Sequence, residues 1–132
     1  MKLLKILATI SFLTISMNTH AEKNSVDFAD PKDGELLTSP FKVKFIVKGM
    51  EIEPAGTEKL NTGHHHLLIN AEDIKEGEVI PADEKHLHFG KGQTETLVTL
   101  PPGKYKLTLQ FANGLHKSYG AEMRKSIEVE VK

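Results

Sequence analysis

The sequence predicts an all-β fold, an immunoglobulin-like antiparallel β-sandwich, and two observations support this prediction. Apolar residues alternate with polar ones in several short segments, as they do in strands that bury one face. Gly and Pro separate these segments, and no helical period is sustained over three turns. Strands at this spacing within about a hundred residues are typical of two packed sheets.

Four segments show the alternation most clearly, and the chain between them is less regular. The predicted strands are Ser25–Phe28, Phe41–Val47, Tyr105–Phe111 and Ile127–Val131. Phe41–Val47 places apolar side chains on one face and mainly lysines on the other. We expect Gly49–Gly63 to be a surface connection, and Glu72–Lys85 to be a polar loop with room for a short strand at Val79–Ile80.

The first 21 residues have the pattern of a cleavable signal peptide. Lys2 and Lys5 form a positive start, Ile6–Met17 is an apolar run, and the small residue Ala21 ends a cleavage site. We therefore expect residues 1–21 to be removed on export to the periplasm. Residues 22–132 would remain as one β-sandwich domain, with no stretch apolar enough to span a membrane.

Composition excludes several classes of function. The 17 basic and 18 acidic residues give a formal net charge of −1, which leaves no basic surplus to neutralise nucleic-acid phosphates. The chain has no cysteine, so disulfides, thiolate zinc sites and a cysteine nucleophile are excluded. No Ser-His-Asp order or paired-carboxylate spacing indicates catalysis, and the sequence therefore favours a protein that is not an enzyme.

Histidines carry the main chemical signal of the sequence. His20 leaves with the signal peptide, and the other six fall in three places: His64-His65-His66, His86-Leu87-His88 and His116. In a strand, successive side chains point to opposite faces. We expect His65 to face the core with Leu67 and Ile69, and His64 and His66 to point outward together. Leu87 and Phe89 should likewise point inward, which places His86 and His88 side by side on the other face.

Clustered imidazoles are suitable ligands for Cu(II) or Zn(II). The candidate metal ligands are His64, His66, His86, His88 and His116. The function that this predicts is an exported protein that holds or buffers the metal. His65 is more simply a buried core residue, and Glu95 is either a further ligand or an exposed glutamate at the start of a strand.

Two other interpretations stay open. The histidines could form a hydrogen-bond network with Gln93, Thr94 and Glu95 that orders a docking surface for an envelope protein or a glycan. The protein could also be a metal-dependent enzyme, which would require an open coordination position and a general base. Glu95 is the one candidate for that base.

Three motifs are similar to those of a family of short exported bacterial proteins classed as a domain of unknown function. The motifs are Gly63–Ile69, His86–Glu95 and Leu100–Gly103, and the resemblance spans about Val26 to Val131. It implies no activity. More distantly, the C-terminal half resembles the periplasmic CopC-like copper-resistance sandwiches, in which a late histidine binds Cu(II) together with the N-terminal amine and an N-terminal histidine. Since the mature chain would begin Glu22-Lys23, only His116 has a counterpart there, and the resemblance implies the fold rather than the site.

Overall fold

A computed structural model describes residues 14–132 and confirms the all-β sandwich. Most of the predicted signal peptide, residues 1–13, lies outside the described residues. The strands are β1 Ser25–Asp30, β2 Leu36–Leu37, β3 Phe41–Lys48, β4 Glu51–Ile52, β5 Thr62–Ile69, β6 His86–His88, β7 Glu95–Val98, β8 Gly103–Ala112 and β9 Arg124–Val131. One turn of 3₁₀ helix, Ala121–Met123, precedes β9.

The strands form two sheets. The smaller sheet has the order β1-β3-β7 and is antiparallel. The larger has the order β2-β9-β8-β5-β4, and β6 also pairs with β5. Its central strands are antiparallel, and two short parallel pairs, β2 with β9 and β4 with β5, lie at its two edges.

Alternating apolar side chains from both sheets form the core of the sandwich, as the sequence predicts. β3 contributes Phe41, Val43 and Phe45, and β8 contributes Leu107, Leu109 and Phe111. The hydroxyl of Tyr105 donates to the carbonyl of Pro101 at 2.7 Å, which is the tyrosine-corner bond of immunoglobulin-like sandwiches.

A second buried layer lies on the outer face of the larger sheet. The segment between β5 and β6, residues 70–85, crosses this face and is bonded to the chain that follows β8. Ile80 N–H donates to the carbonyl of His116 at 2.9 Å, and Ser118 N–H donates to that of Glu78 at 2.9 Å. Val79 forms an isolated bridge with Lys117, so the expected short strand is reduced to one pair. Both faces of β5 are therefore covered, and all of its residues are buried.

No helix among residues 14–132 has the length and apolar character to cross a membrane. The 3₁₀ turn is the one helical element of this part of the chain.

Candidate metal centre

Four histidine side chains meet on the covered outer face of the larger sheet. The four-histidine group consists of His64, His66, His88 and His116. One ring nitrogen from each lies within 4.8 Å of those of the other three. His64 Nε2 is 3.1 Å from His88 Nε2 and 3.1 Å from His116 Nδ1. Two nitrogen ligands of a tetrahedral Zn(II) ion lie about 3.3 Å apart, since each Zn–N bond is about 2.0–2.1 Å. The two distances from His64 Nε2 are close to this ligand–ligand separation.

Strand pairing places three of these histidines. His64 and His66 are two residues apart on β5, so their rings share a face, with centroids 4.7 Å apart. His66 pairs directly with His88 across the β5–β6 ladder, and these ring centroids are 5.1 Å apart. The alternation in the sequence thus predicted correctly that His64 and His66 lie together on the face opposite the core.

A tight loop after β8 provides the fourth imidazole. His116 has φ 62°, a left-handed conformation that costs a side-chain-bearing residue about 1 kcal/mol. Asn113 maintains the loop, because its Oδ1 accepts bonds from the backbone N–H groups of Leu115 and Lys117 at 2.9 and 3.0 Å. The strained conformation is therefore fixed by specific bonds, and it directs His116 towards His88, with ring centroids 4.7 Å apart.

Gly90 makes room for the ring of His88. A Cβ at position 90 would lie 2.2 Å from His88 Cε1 and 2.6 Å from His88 Nε2, far inside van der Waals contact. Gly114 has a comparable role in the other loop, since a Cβ there would lie 2.0 Å from the carbonyl oxygen of Thr57. Both loops of the site thus depend on a residue without a side chain.

Burial keeps His64, His66 and His88 neutral at pH 7. It is the main cause that lowers the pKa of His64 to about 4 and that of His66 to about 3. It also lowers the pKa of His88. Repulsion between the neighbouring imidazolium forms acts in the same direction on all three. A neutral imidazole retains a lone pair for a metal ion, so these three histidines can bind metal without first releasing protons.

Hydrogen bonds leave part of the group unsatisfied. Within residues 14–132, Nδ1 of His64 and Nδ1 of His66 are buried and have no hydrogen-bond partner. Histidines that bind a metal permanently usually donate the second ring N–H to a carboxylate or carbonyl, and removing such a partner typically weakens metal affinity 10–100-fold. His64 and His66 therefore lack the second hydrogen bond that strengthens metal binding by histidine in the tightest sites.

His64 and His66 point away from the core, as predicted, and both are nevertheless buried. Their exposed fractions are 0% and 2%. They lie on β5, all of whose residues are buried. The side chains of His88 and His116 form the outer part of the group, since His88 is exposed and His116 is half-buried.

The structure brings together four of the five predicted ligands. His86 lies on the same face of β6 as His88 but outside the four-histidine group. Its Nδ1 is 2.6 Å from Oδ1 of Asp83, within a tight turn closed by a bond from His86 N–H to the Asp83 carbonyl. This pairing also holds the pKa of the Asp83 carboxyl below its usual range. The turn before β6 therefore separates the roles of two histidines that the sequence presents as equivalent.

Two other residues considered as ligands lie elsewhere. His65 faces the sandwich core as predicted, with its ring centroid 5.0 Å from that of Phe45 and 5.1 Å from that of Phe111. Its two ring nitrogens are buried and have no hydrogen-bond partner within residues 14–132, so it is not the hydrogen-bonded core histidine that the sequence suggests. Glu95 begins β7 in the opposite sheet, where it is exposed and lies 3.8 Å from the ammonium group of Lys42. The sequence did not indicate that Gly90 and Gly114 shape the site, although each lies two residues from a histidine of the group.

Comparisons with known proteins identify the family and the fold. A family model described as a domain of unknown function (DUF4399) matches residues 43–132. No curated protein matches the chain. The solved structure of the endo-β-1,4-mannanase from Thermotoga petrophila is similar, with a TM-score of 0.54 and 15% identity. The match covers 88% of this chain and 21% of that one, and it shows a common fold alone.

Proposed function

The chain belongs to the DUF4399 family, which provides no activity, and we therefore propose from the site itself that the protein binds Cu(II) or Zn(II). The ligands are His64, His66, His88 and His116. The role that follows is to hold or buffer the metal in the periplasm, after removal of residues 1–21.

The convergence of four imidazole nitrogen donors carries this proposal. The histidines come from β5, β6 and the loop after β8, yet their ligand atoms lie within 4.8 Å of one another. Each ring nitrogen of a neutral imidazole carries either one N–H or one lone pair. His64 Nε2 therefore cannot form a full hydrogen bond with both His88 Nε2 and His116 Nδ1, although both lie 3.1 Å away. A metal ion accepts all four lone pairs at one point.

Features of the surroundings favour holding over catalysis. The four-histidine group contains no carboxylate that could act as a general base. The unpartnered Nδ1 atoms of His64 and His66 favour moderate affinity and exchange rather than permanent binding. Half of the ligands lie at the surface, where a competing ligand can reach the metal without unfolding the chain.

The test is the metal content of the mature, untagged protein purified from the periplasm, measured by elemental mass spectrometry after adding Cu(II) or Zn(II) and desalting. We expect about one retained equivalent. His88→Ala should lose it, whereas His86→Ala, a matched change two residues away on the same strand face, should retain it. Absence of retained metal in the unchanged protein would reject the proposal. Equal retention by the two variants would reject the ligand set.

One observation favours a second function, an interaction module of the cell envelope. His64 Nε2 is also within hydrogen-bonding distance of both His88 Nε2 and His116 Nδ1, and either bond would link the loops that carry these histidines without a metal. This alternative predicts that His88→Ala lowers the melting temperature equally with and without added metal.

A further inference from the structure

The surroundings of the four-histidine group contain little negative charge. Within two residues of His64, His66, His88 or His116 there is no Asp or Glu, and Lys117 is the one charged residue. At three residues the charged neighbours are Lys85 and Lys91, and the first carboxylate, Glu84, lies four residues from His88. Two carboxylates farther away have partners of their own. Asp83 is paired with His86 at 2.6 Å, and Glu53 lies 3.8 Å from the ammonium group of Lys59.

An imidazole binds a metal in its neutral form, so a divalent ion held by four histidines would keep its whole charge. Thiolate or carboxylate ligands cancel one charge each, but four imidazoles cancel none. An uncompensated charge beside a buried, low-dielectric region is costly, and a bound cation is then the strongest charge in its site. The free energy of the loaded site falls if one negative charge joins it.

The arrangement of the ligands leaves one direction for such a charge. His64 and His66 lie on β5 and are buried. His88 is exposed and His116 is half-buried, so the solvent side of the group is the side between these two rings. Zn(II) can expand from four ligands to five, and Cu(II) accepts weak axial ligands in addition to four nitrogens.

We infer, building on the proposed metal binding, that the loaded site binds a small monovalent anion as a further ligand on this solvent side. The anion class is one with a nitrogen or oxygen donor, such as azide or a carboxylate group. The protein would then bind metal and anion together, and a carboxylate of a partner that donates or accepts the metal could enter in the same way.

Azide is a suitable probe, because its bond to Cu(II) gives a charge-transfer absorption band. Mature protein is loaded with one equivalent of Cu(II), desalted and titrated with azide, and its copper content is measured before and after. We expect a saturable band corresponding to one azide per copper, with the copper retained. An unchanged spectrum in protein that retains its copper would overturn the inference. Loss of copper to azide would also overturn it. Failure to retain copper before azide is added would instead reject the proposed function.

A matched pair of variants tests the electrostatic cause. Leu115 is 45% exposed and directly precedes His116, so its side chain lies at the surface of the loop that carries this ligand. Leu115→Glu adds a negative charge there, and Leu115→Gln is the neutral control of similar size. At low ionic strength we expect azide to bind about two-fold more weakly to the Glu variant, and the difference to disappear in 1 M salt. Equal azide affinities at low salt would contradict the charge argument.

Discussion

The substitution Gly90→Ala should remove His88 from the four-histidine group while the fold stays intact. The added Cβ would lie 2.2 Å from Cε1 and 2.6 Å from Nε2 of His88, so the ring must move by about 1 Å to restore ordinary contact. A metal–ligand distance can depart from its usual value by about 0.2 Å, so a ring shift of about 1 Å takes His88 out of bonding distance. Gly90 does not have a positive φ, and the His88 ring can turn into solvent, so the free energy of unfolding should change by less than about 1 kcal/mol.

Metal affinity is the quantity to measure, by competition with a chelator of known affinity. Removal of the group that hydrogen-bonds a metal-ligating histidine weakens metal affinity about 10–100-fold. Displacement of the ligand itself should therefore weaken the metal affinity of this site by at least that factor. The control is His88→Ala, alone and combined with Gly90→Ala. If Gly90 acts through His88, the alanine at position 90 has no further effect once His88 is gone. Unchanged affinity in Gly90→Ala, or additive losses in the double variant, would refute the reasoning.

Three further predictions concern stability, ligand geometry and processing. Burial lowers the pKa of His65 to about 4, so protonation of this imidazole in the unfolded chain should lower the free energy of unfolding of metal-free protein as the pH falls from about 6.5 towards 4. Denaturant midpoints measured over this pH range should show the decrease. His65→Leu should make the decrease smaller and raise the free energy of unfolding by about 1–2 kcal/mol, because it removes two buried ring nitrogens that have no partner. His116→Asn should abolish metal retention yet match the melting temperature of metal-free wild type within a few degrees, because Asn tolerates φ 62°, whereas His116→Val should melt lower. Intact mass of exported protein should correspond to a chain that begins at Glu22.

The fold was predictable because its evidence is local. Phe41, Val43 and Phe45 alternate with lysines on β3, and burial of that one face follows directly from the period of two. The same rule placed His65 in the core and its two neighbours on the other face. Alternation does not predict that the second face of β5 is buried as well, because residues 70–85 have no period that marks them as part of a core.

The site was predictable only in part, because its decisive contacts are distant in sequence. Pairing of His66 with His88 depends on the register of β5 and β6, which alternation alone does not provide. His86 and His88 share a face and differ in one respect, the turn that brings Asp83 to His86. The position of His116 depends on Asn113 and on a left-handed backbone, neither of which has a signal in a single sequence.

The distance along the chain between the histidines of the group has a further consequence. His64 is 52 residues from His116 and 24 from His88, and the chain has no cysteine. An ion bound to all three would act as a reversible cross-link, restricting the unfolded ensemble much as a disulfide does. A ligand at a hundred times its dissociation constant stabilises the folded state by about 2.7 kcal/mol. Metal supply would then set the lifetime of the protein against proteases that degrade unfolded chains, and its abundance would report how much metal is available to it.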